Sequence, residues 1–276
     1  MTLQLIQGLL LSFALVVILM PPYIRLLRFA GMGKQIREEG PESHFVKEGT
    51  PTMGGLLVIG VVLVLFILLR TPEGGVIAPL AALAFVGVLG AFDDQKMLWL
   101  VVVAAVAAFQ IQQTYNLQGF RVPFVGDVFI DPRAYVLFAA VAIVASSNGV
   151  NITDGLDGLA GGTLVFAFVA FMLIALLNEP AQPNIAFLCA LIIGALLGFL
   201  WFNVHPAQII MGDSGSLSLG ATLAVIALIT GQILVLPLIG LIFVVETGSV
   251  IVQVLYFKLT HGRRIFRMSP IHHHFE

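Results

Sequence analysis

The stretch at 148–159 reads NGVNITDGLDGL and places two Asn, one Thr and two Asp in twelve residues. Apolar runs flank it on both sides, at 134–145 and 163–177, and both read as membrane spans. A carboxylate at membrane depth is costly, so this cluster belongs at a helix end, facing water or a cation.

The composition agrees with that reading. Of 276 residues, 59% are hydrophobic and 10% charged, against about 25% charged in a soluble domain. The mean hydropathy is +1.04. An ordinary soluble domain is excluded, and a polytopic all-α membrane protein is the expected class, with 1–276 forming a single transmembrane domain. The formal net charge of −2 says little by itself, and no nucleic-acid partner is expected. The one cysteine, Cys189, excludes an internal disulfide. Residues 1–20 lack a basic leader and a small-residue cleavage site and read as a retained first span.

Nine apolar spans are expected, roughly at 3–19, 56–69, 76–91, 97–109, 134–145, 163–177, 185–202, 217–230 and 233–257. Several fall short of the roughly 20 residues of a full crossing, and the third and fourth are the least secure. The last is long enough to bend, and Glu246, Gly248 and Ser249 suggest where. Nine crossings put the loops 26–51, 93–96, 146–162, 203–216 and 258–276 on one side. That side takes ten of the 13 Lys and Arg, leaving Arg70, Arg121 and Arg133 on the other. The positive-inside rule makes the basic side cytoplasmic and puts the N-terminus outside. The outer segment 112–133 carries Pro123, Gly126 and alternating apolar residues, and reads as a small hairpin.

Each dense polar cluster falls on the basic side. Asp93 and Asp94 end the third span, where two carboxylates oppose each other and the helix dipole. A divalent cation would offset this, and so would a solvated turn with Lys96 as partner. Asn151, Asp154 and Asp157 precede the sixth span. Thr153 or Asp154 also suits an N-cap, but one cap leaves the other polar groups unexplained, and Gly155, Gly158, Gly161 and Gly162 permit close backbone approach of a nucleotide or phosphate. In NVHPAQIIMGDSGS, at 203–216, Asp213 with Asn203 nearby suits Mg²⁺, which takes oxygen ligands from one or two carboxylates, waters and substrate phosphates. Asp213 or Ser214 equally suits a cap of the eighth helix, and His205 reads as an interfacial histidine. His272, His273 and His274 follow Arg263, Arg264 and Arg267, a combination suited to a diphosphate. Lys47 and Thr52 sit just before the second span, where a phosphate can be held. Glu246 should face the protein interior or a wet cavity rather than lipid.

Taken in order, GTPTMGG at 49–55, the Asp93-Asp94 pair, NITDGLDGLAGG at 151–162, MGDSGSLSLG at 211–220, VVET at 244–247 and RIFRMSPIHHHFE at 264–276 resemble the phospho-N-acetylmuramoyl-pentapeptide transferases. These belong to the wider polyprenyl-phosphate N-acetylhexosamine-1-phosphate transferases. The terminal RIFRMSPIHHHFE is the discriminating part. The resemblance implies a bacterial inner-membrane enzyme that joins UDP-N-acetylmuramoyl-pentapeptide to undecaprenyl phosphate, giving lipid I and UMP, with Mg²⁺ as cofactor, and it extends the family's homodimer to this chain as an expectation.

Carried over by position, the resemblance makes Asp213 the metal ligand and Asp93 the carboxylate proposed to deprotonate the lipid phosphate, although such a monoester already titrates near neutrality. Asp94 then positions the metal or diphosphate. Asn151 and Asp154 are implied as polar contacts, Gly155, Leu156 and Asp157 as the uridine-binding stretch, Lys47 and Thr52 as nucleotide and diphosphate contacts, and His272 and His273, with His274, as the essential histidine cluster. Three departures stand out. Lys96 comes one residue early after the Asp pair, within a shortened loop. Ile210 replaces the aromatic residue that stacks on uracil, implying weaker uridine affinity. The family's tenth span is expected to be absent after Glu276. The alternatives are a sister UDP-N-acetylhexosamine transferase, an ion-coupled transporter using Glu246 and the Asp clusters, and an inactive scaffold.

Overall fold

The computed structural model describes residues 2–31, 49–70, 74–91, 96–115, 119–122 and 125–275, with only the backbone of Lys96, Arg121, Asp127 and Phe275. Lys47, Asp93 and Asp94 lie outside the described residues. The elements run α1 Thr2–Phe29, α2 Gly54–Leu69, α3 Ile77–Leu89, α4 Lys96–Tyr115, β1 Gly119–Val122, β2 Gly126–Phe129, α5 Pro132–Thr153, α6 Leu159–Leu177, α7 Pro183–Asn203, α8 Gly212–Ile229, α9 Leu236–Ile239, α10 Leu241–Leu259 and α11 His272–Phe275. Seven of these helices are long and apolar enough to cross a membrane, and α2 and α3 are shorter apolar helices. The protein is thus an all-α, multi-pass membrane protein. Its helices expose large apolar side chains of the kind a bilayer solvates, such as Phe29, Phe85, Phe166 and Trp201.

α7 packs against α1, α6 and α2, and α8 against α5, α3 and α2, so these two helices form the centre. Positions 214–229 of α8 are all buried, and α7 is buried almost throughout, Cys189 included. A helix with no lipid-facing side must satisfy its polar groups inside the protein. Ser218 Oγ donates to Ser214 O at 2.6 Å and Thr222 Oγ1 to Ser218 O at 2.7 Å, within the helix. From α5, Ser147 Oγ donates to Leu217 O at 2.7 Å and Ser146 Oγ to Gly220 O at 2.8 Å. These bonds fasten α5 along α8. On the opposite flank, α2 crosses α8 at Gly55 and Gly215. A Cβ at Gly215 would stand 2.7 Å from Gly55 Cα, and one at Gly55 would overlap Gly215 Cα. Only glycine at both positions allows so close a crossing.

The expected hairpin forms: β1 and β2 pair antiparallel, with Phe120 opposite Val128. Four expectations need correction. The segment at 146–162 is not one loop, because α5 continues through Thr153. Its polar residues bond backwards along the helix, Asn148 Nδ2 to Val144 O at 2.8 Å and Thr153 Oγ1 to Gly149 O at 2.8 Å, so polarity does not end it. Neither Thr153 nor Asp154 caps α6, whose N-cap is Gly158 at φ 79°. Asp213 and Ser214 lie inside the first turn of α8 rather than capping it. The last span does not bend at 246–249. It breaks at Gly240, which ends α9 and begins α10 with a non-helical backbone at φ −95° and ψ 33°. α10 runs unbroken through Glu246, Gly248 and Ser249, with Ser249 Oγ donating to Glu246 O at 2.6 Å.

The Gly55–Gly215 crossing yields a stability test. Gly215→Val should destabilise the fold by about 1–3 kcal/mol through overpacking. Gly60→Ala, where a Cβ meets nothing within 4 Å, should stay within about 0.5 kcal/mol of the parent. Thermal unfolding of the detergent-solubilised variants measures both.

Candidate functional site

The site is built where α2, α6 and α8 begin and α5 and α7 end. Ile210 donates its N–H to Pro51 O at 2.9 Å, Gly54 N–H bonds Ile210 O at 2.9 Å, and Gly55 N–H bonds Met211 O at 3.0 Å. This backbone ladder seats Thr52 and Met53 against Gly212, where a Cβ would stand 2.9 Å from Met53 N. Tyr23 of α1 ties on by donating to Met53 O at 3.0 Å. The end of α3 arrives at the same place: a Cβ on Gly90 would lie 2.6 Å from Ser214 Cα and 2.7 Å from Asp213 O.

Asp154 closes the other side. Its Oδ2 accepts the Gly212 N–H at 3.2 Å, so a carboxylate from the α5–α6 turn meets the positive end of α8. One turn along α8, Ser216 Oγ donates to Asn151 Oδ1 at 2.7 Å. Asp213 sits half-buried in that first turn. Asn151, Asp154, Asp213 and Thr52 are therefore brought together.

Asp157 and Asn203 serve as braces. Asp157 Oδ2 accepts from Ala207 N–H at 3.2 Å and lies 3.1 Å from His205 Nδ1, with the Asp157 side chain 7% exposed and that of His205 78%. Asn203, 4% exposed, accepts the Gly158 N–H at 3.0 Å and donates to Ile209 O at 2.9 Å. Its amide thereby locks the 154–158 turn to the segment leading into α8. Leu156 is half-buried in the same turn.

The histidines come from the far end of the chain. Gln253 of α10 folds that segment back: its Oε1 accepts from Ile265 N–H at 3.1 Å and Phe266 N–H at 3.0 Å, and its Nε2 donates to Phe266 O at 3.2 Å. His272 is buried, with Nδ1 2.9 Å from Glu246 Oε2. Its ring stands where a Cβ on Gly155 would have to go, so the turn at 154–158 and the histidine segment are in contact. His273 lies with its ring centroid 4.1 Å from that of His272 at 60°. His274 turns away, accepting the Arg267 N–H at 3.1 Å and meeting Phe266 edge-on.

Among the described residues no set of three His, Cys, Asp or Glu is gathered to hold a metal. Asn151, Asp154 and Ser216 bring oxygen atoms to the start of α8, the turn that carries Asp213. A set with few carboxylates and no thiolate suits a magnesium ion completed by phosphate oxygens and water, not zinc.

Comparison with known proteins gives the family. Residues 47–59, which include the strand-like ladder to 210–211, match the phospho-N-acetylmuramoyl-pentapeptide-transferase signature 1, and residues 76–231 match Glycosyl transferase family 4. A phospho-N-acetylmuramoyl-pentapeptide-transferase of Chloroflexus aurantiacus is 43% identical over 96% of this chain and 80% of its own length. The chain belongs to the phospho-N-acetylmuramoyl-pentapeptide-transferase family. Relatives of that name from Listeria monocytogenes, 43% identical over 96% of this chain and 87% of their own, and from Geobacillus, 41% identical over 98% and 89%, extend the likeness.

One residue of this transferase-family site, Ser216, carries a role that its local sequence does not announce. Ser216 is the partner of Asn151, and its place in GDSGS gave no pointer to a contact 65 positions away. Glu246 did carry a signal, since a lone carboxylate inside a span implies a buried partner. Asn203→Ala should leave the Gly158 N–H and the Ile209 carbonyl without partners and cost about 1–3 kcal/mol. Exposed His205→Ala should cost less than about 0.5 kcal/mol. Thermal unfolding, with hydrogen exchange at the Gly158 amide, checks the pair.

Proposed function

We propose that this chain transfers phospho-N-acetylmuramoyl-pentapeptide from its UDP-linked precursor to undecaprenyl phosphate, on the cytoplasmic face of a bacterial inner membrane. The observation that carries the reading is the signature segment hydrogen-bonded to the start of α8, beside Asp213, in a chain 43% identical to transferases of that name. An oxygen of the lipid phosphate attacks the β-phosphorus of the nucleotide sugar. The bond between β-phosphorus and the bridging oxygen breaks, UMP leaves with that oxygen, and lipid I forms.

The work left to the protein is positioning and charge neutralisation. Asp213 would hold Mg²⁺, with Asn151 and Ser216 setting the turn it projects from. Bound Mg²⁺ supplies positive charge to the diphosphate oxygens. Asp154, by capping α8, fixes that turn. The turn at 154–158 receives the uridine, and Thr52 with Lys47 and the histidine segment meets the phosphates. Asp93 and Asp94 come shortly after α3 in the sequence, and Gly90 at the end of α3 packs on the backbone of Asp213 and Ser214, which supports their assignment to the same chemistry.

A second feature supports the lipid acceptor. Between α5 and the α9–α10 break lies an apolar groove of about 400 Å³, lined by Phe138, Ala142, Ser146, Phe243, Thr247 and Ile251. It runs along α5 toward the polar end and suits a polyprenyl chain. The basic residues support the orientation: Arg25 and Arg28 close α1, Lys258 closes α10, and Arg263, Arg264 and Arg267 lie on the histidine segment, all at the site's end of the bundle.

The test is an assay of the purified protein with UDP-N-acetylmuramoyl-pentapeptide, polyprenyl phosphate and Mg²⁺, with UMP release as the readout. Asp213→Ala should lower the rate by at least about 100-fold while leaving the melting temperature near the parent's, as loss of a transition-state charge contact requires. Excess chelator should abolish the parent's activity. Transfer from UDP-N-acetylglucosamine but not from the muramoyl-pentapeptide would reassign the chain to a sister reaction.

A further inference from the structure

Glu246 lies in the second turn of α10, 5% exposed, and its side chain pairs with His272, 26 positions later. One carboxylate oxygen, Oε2, receives both the His272 backbone N–H, at 3.4 Å, and Nδ1, at 2.9 Å. An oxygen that already accepts an amide proton acts as an acceptor, so Nδ1 is the protonated nitrogen and the ring is held in one orientation. Nε2 is thereby turned away from α10. It is buried, makes no hydrogen bond, and rests against Gly155. An orphaned buried nitrogen is costly unless some group completes it. The groups facing it across the ring are the 154–158 turn and His273.

We infer that Glu246 is a positioning residue for the transfer. It fixes the His272 tautomer, so that Nε2 alone faces the 154–158 turn as a hydrogen-bond acceptor for a proton-bearing oxygen of bound substrate, such as the hydroxyl of a singly protonated phosphate. This rests on the transferase reading above. The occupant enters by displacing Gly155, and a turn bounded by Gly155 and Gly158, the latter already at φ 79°, yields more readily than one with side chains. The same hydrogen bonds satisfy a carboxylate buried within a membrane-spanning helix. The sequence read Glu246 only as inward-facing; its partner gives it a use.

The experiment compares the parent with Glu246→Gln and Glu246→Ala in two readouts. In the UMP-release assay, Glu246→Ala should lower kcat by about 10- to 100-fold, the range for a partner that orients a histidine, with KM for both substrates little changed. Glu246→Gln keeps an acceptor oxygen for Nδ1–H and should recover most of that loss. In nitrogen-15 histidine spectra of the protein in nanodiscs, with the signal assigned through His272→Gln, the parent should show His272 protonated at Nδ1. Glu246→Ala should release the ring to a mixture of tautomers. Unchanged His272 signals in Glu246→Ala overturn the inference, as does a Glu246→Ala enzyme with parental kcat. An equal loss in both variants, tracking melting temperature, also overturns it by reducing Glu246 to a fold-holding residue. A parent that releases no UMP overturns the transferase reading instead, and the spectra still decide whether Glu246 fixes the ring.

Discussion

A transmembrane helix enclosed on every side has no lipid or water to answer its polar groups, and α8 is such a helix. Its serines and Thr222 must be satisfied by itself or its neighbours, and its first amide N–H groups must find acceptors at the end of the bundle. Those demands dictate much of what surrounds it. Ser146 and Ser147 bind α5 to its carbonyls, Gly55 brings α2 to backbone contact, and Asp154 arrives at its N-terminus. The helix end that carries Asp213 is thus held by three separate segments. Asp213 stands on a helix end that its surroundings fix from several sides.

The membrane class, most span positions, the hairpin after α4 and the inward-facing Glu246 were legible from apolar runs, turn residues and the cost of a buried charge. Helix ends were not. α5 outlasts its apolar run because Ser147, Asn148 and Thr153 find carbonyls in α8 and in its own preceding turn, and polarity in a sequence does not say whether a partner exists. The break at Gly240 was signalled by Pro237 and Gly240 themselves, yet the polar residues at 246–249 drew attention because buried charge usually accompanies irregular backbone. Here the carboxylate is satisfied by a side chain from elsewhere, so the helix need not open.

The site was legible as a set of residue types on one side and opaque as a set of contacts. Motif positions put Asn151, Asp154, Asp157, Asn203 and Asp213 together, but a motif does not separate a group that touches substrate from one that holds the loop. Asn203 spends both ends of its amide on backbone groups, and Asp157 accepts from Ala207. Both act on the turn at 154–158 whatever else they meet. The contacts to Gly158 and Ala207 join residues more than 40 positions apart, and no local periodicity encodes them.

The lone thiol has a practical meaning. Cys189 sits in the middle of α7, walled off by neighbouring helices. A water-soluble maleimide therefore has nothing to modify in the native protein, and a single cysteine introduced into any loop becomes its sole handle. Fluorophores, spin labels or impermeant quenchers can be attached to the otherwise natural sequence, and the sidedness of each turn read in intact vesicles without first engineering a cysteine-free background.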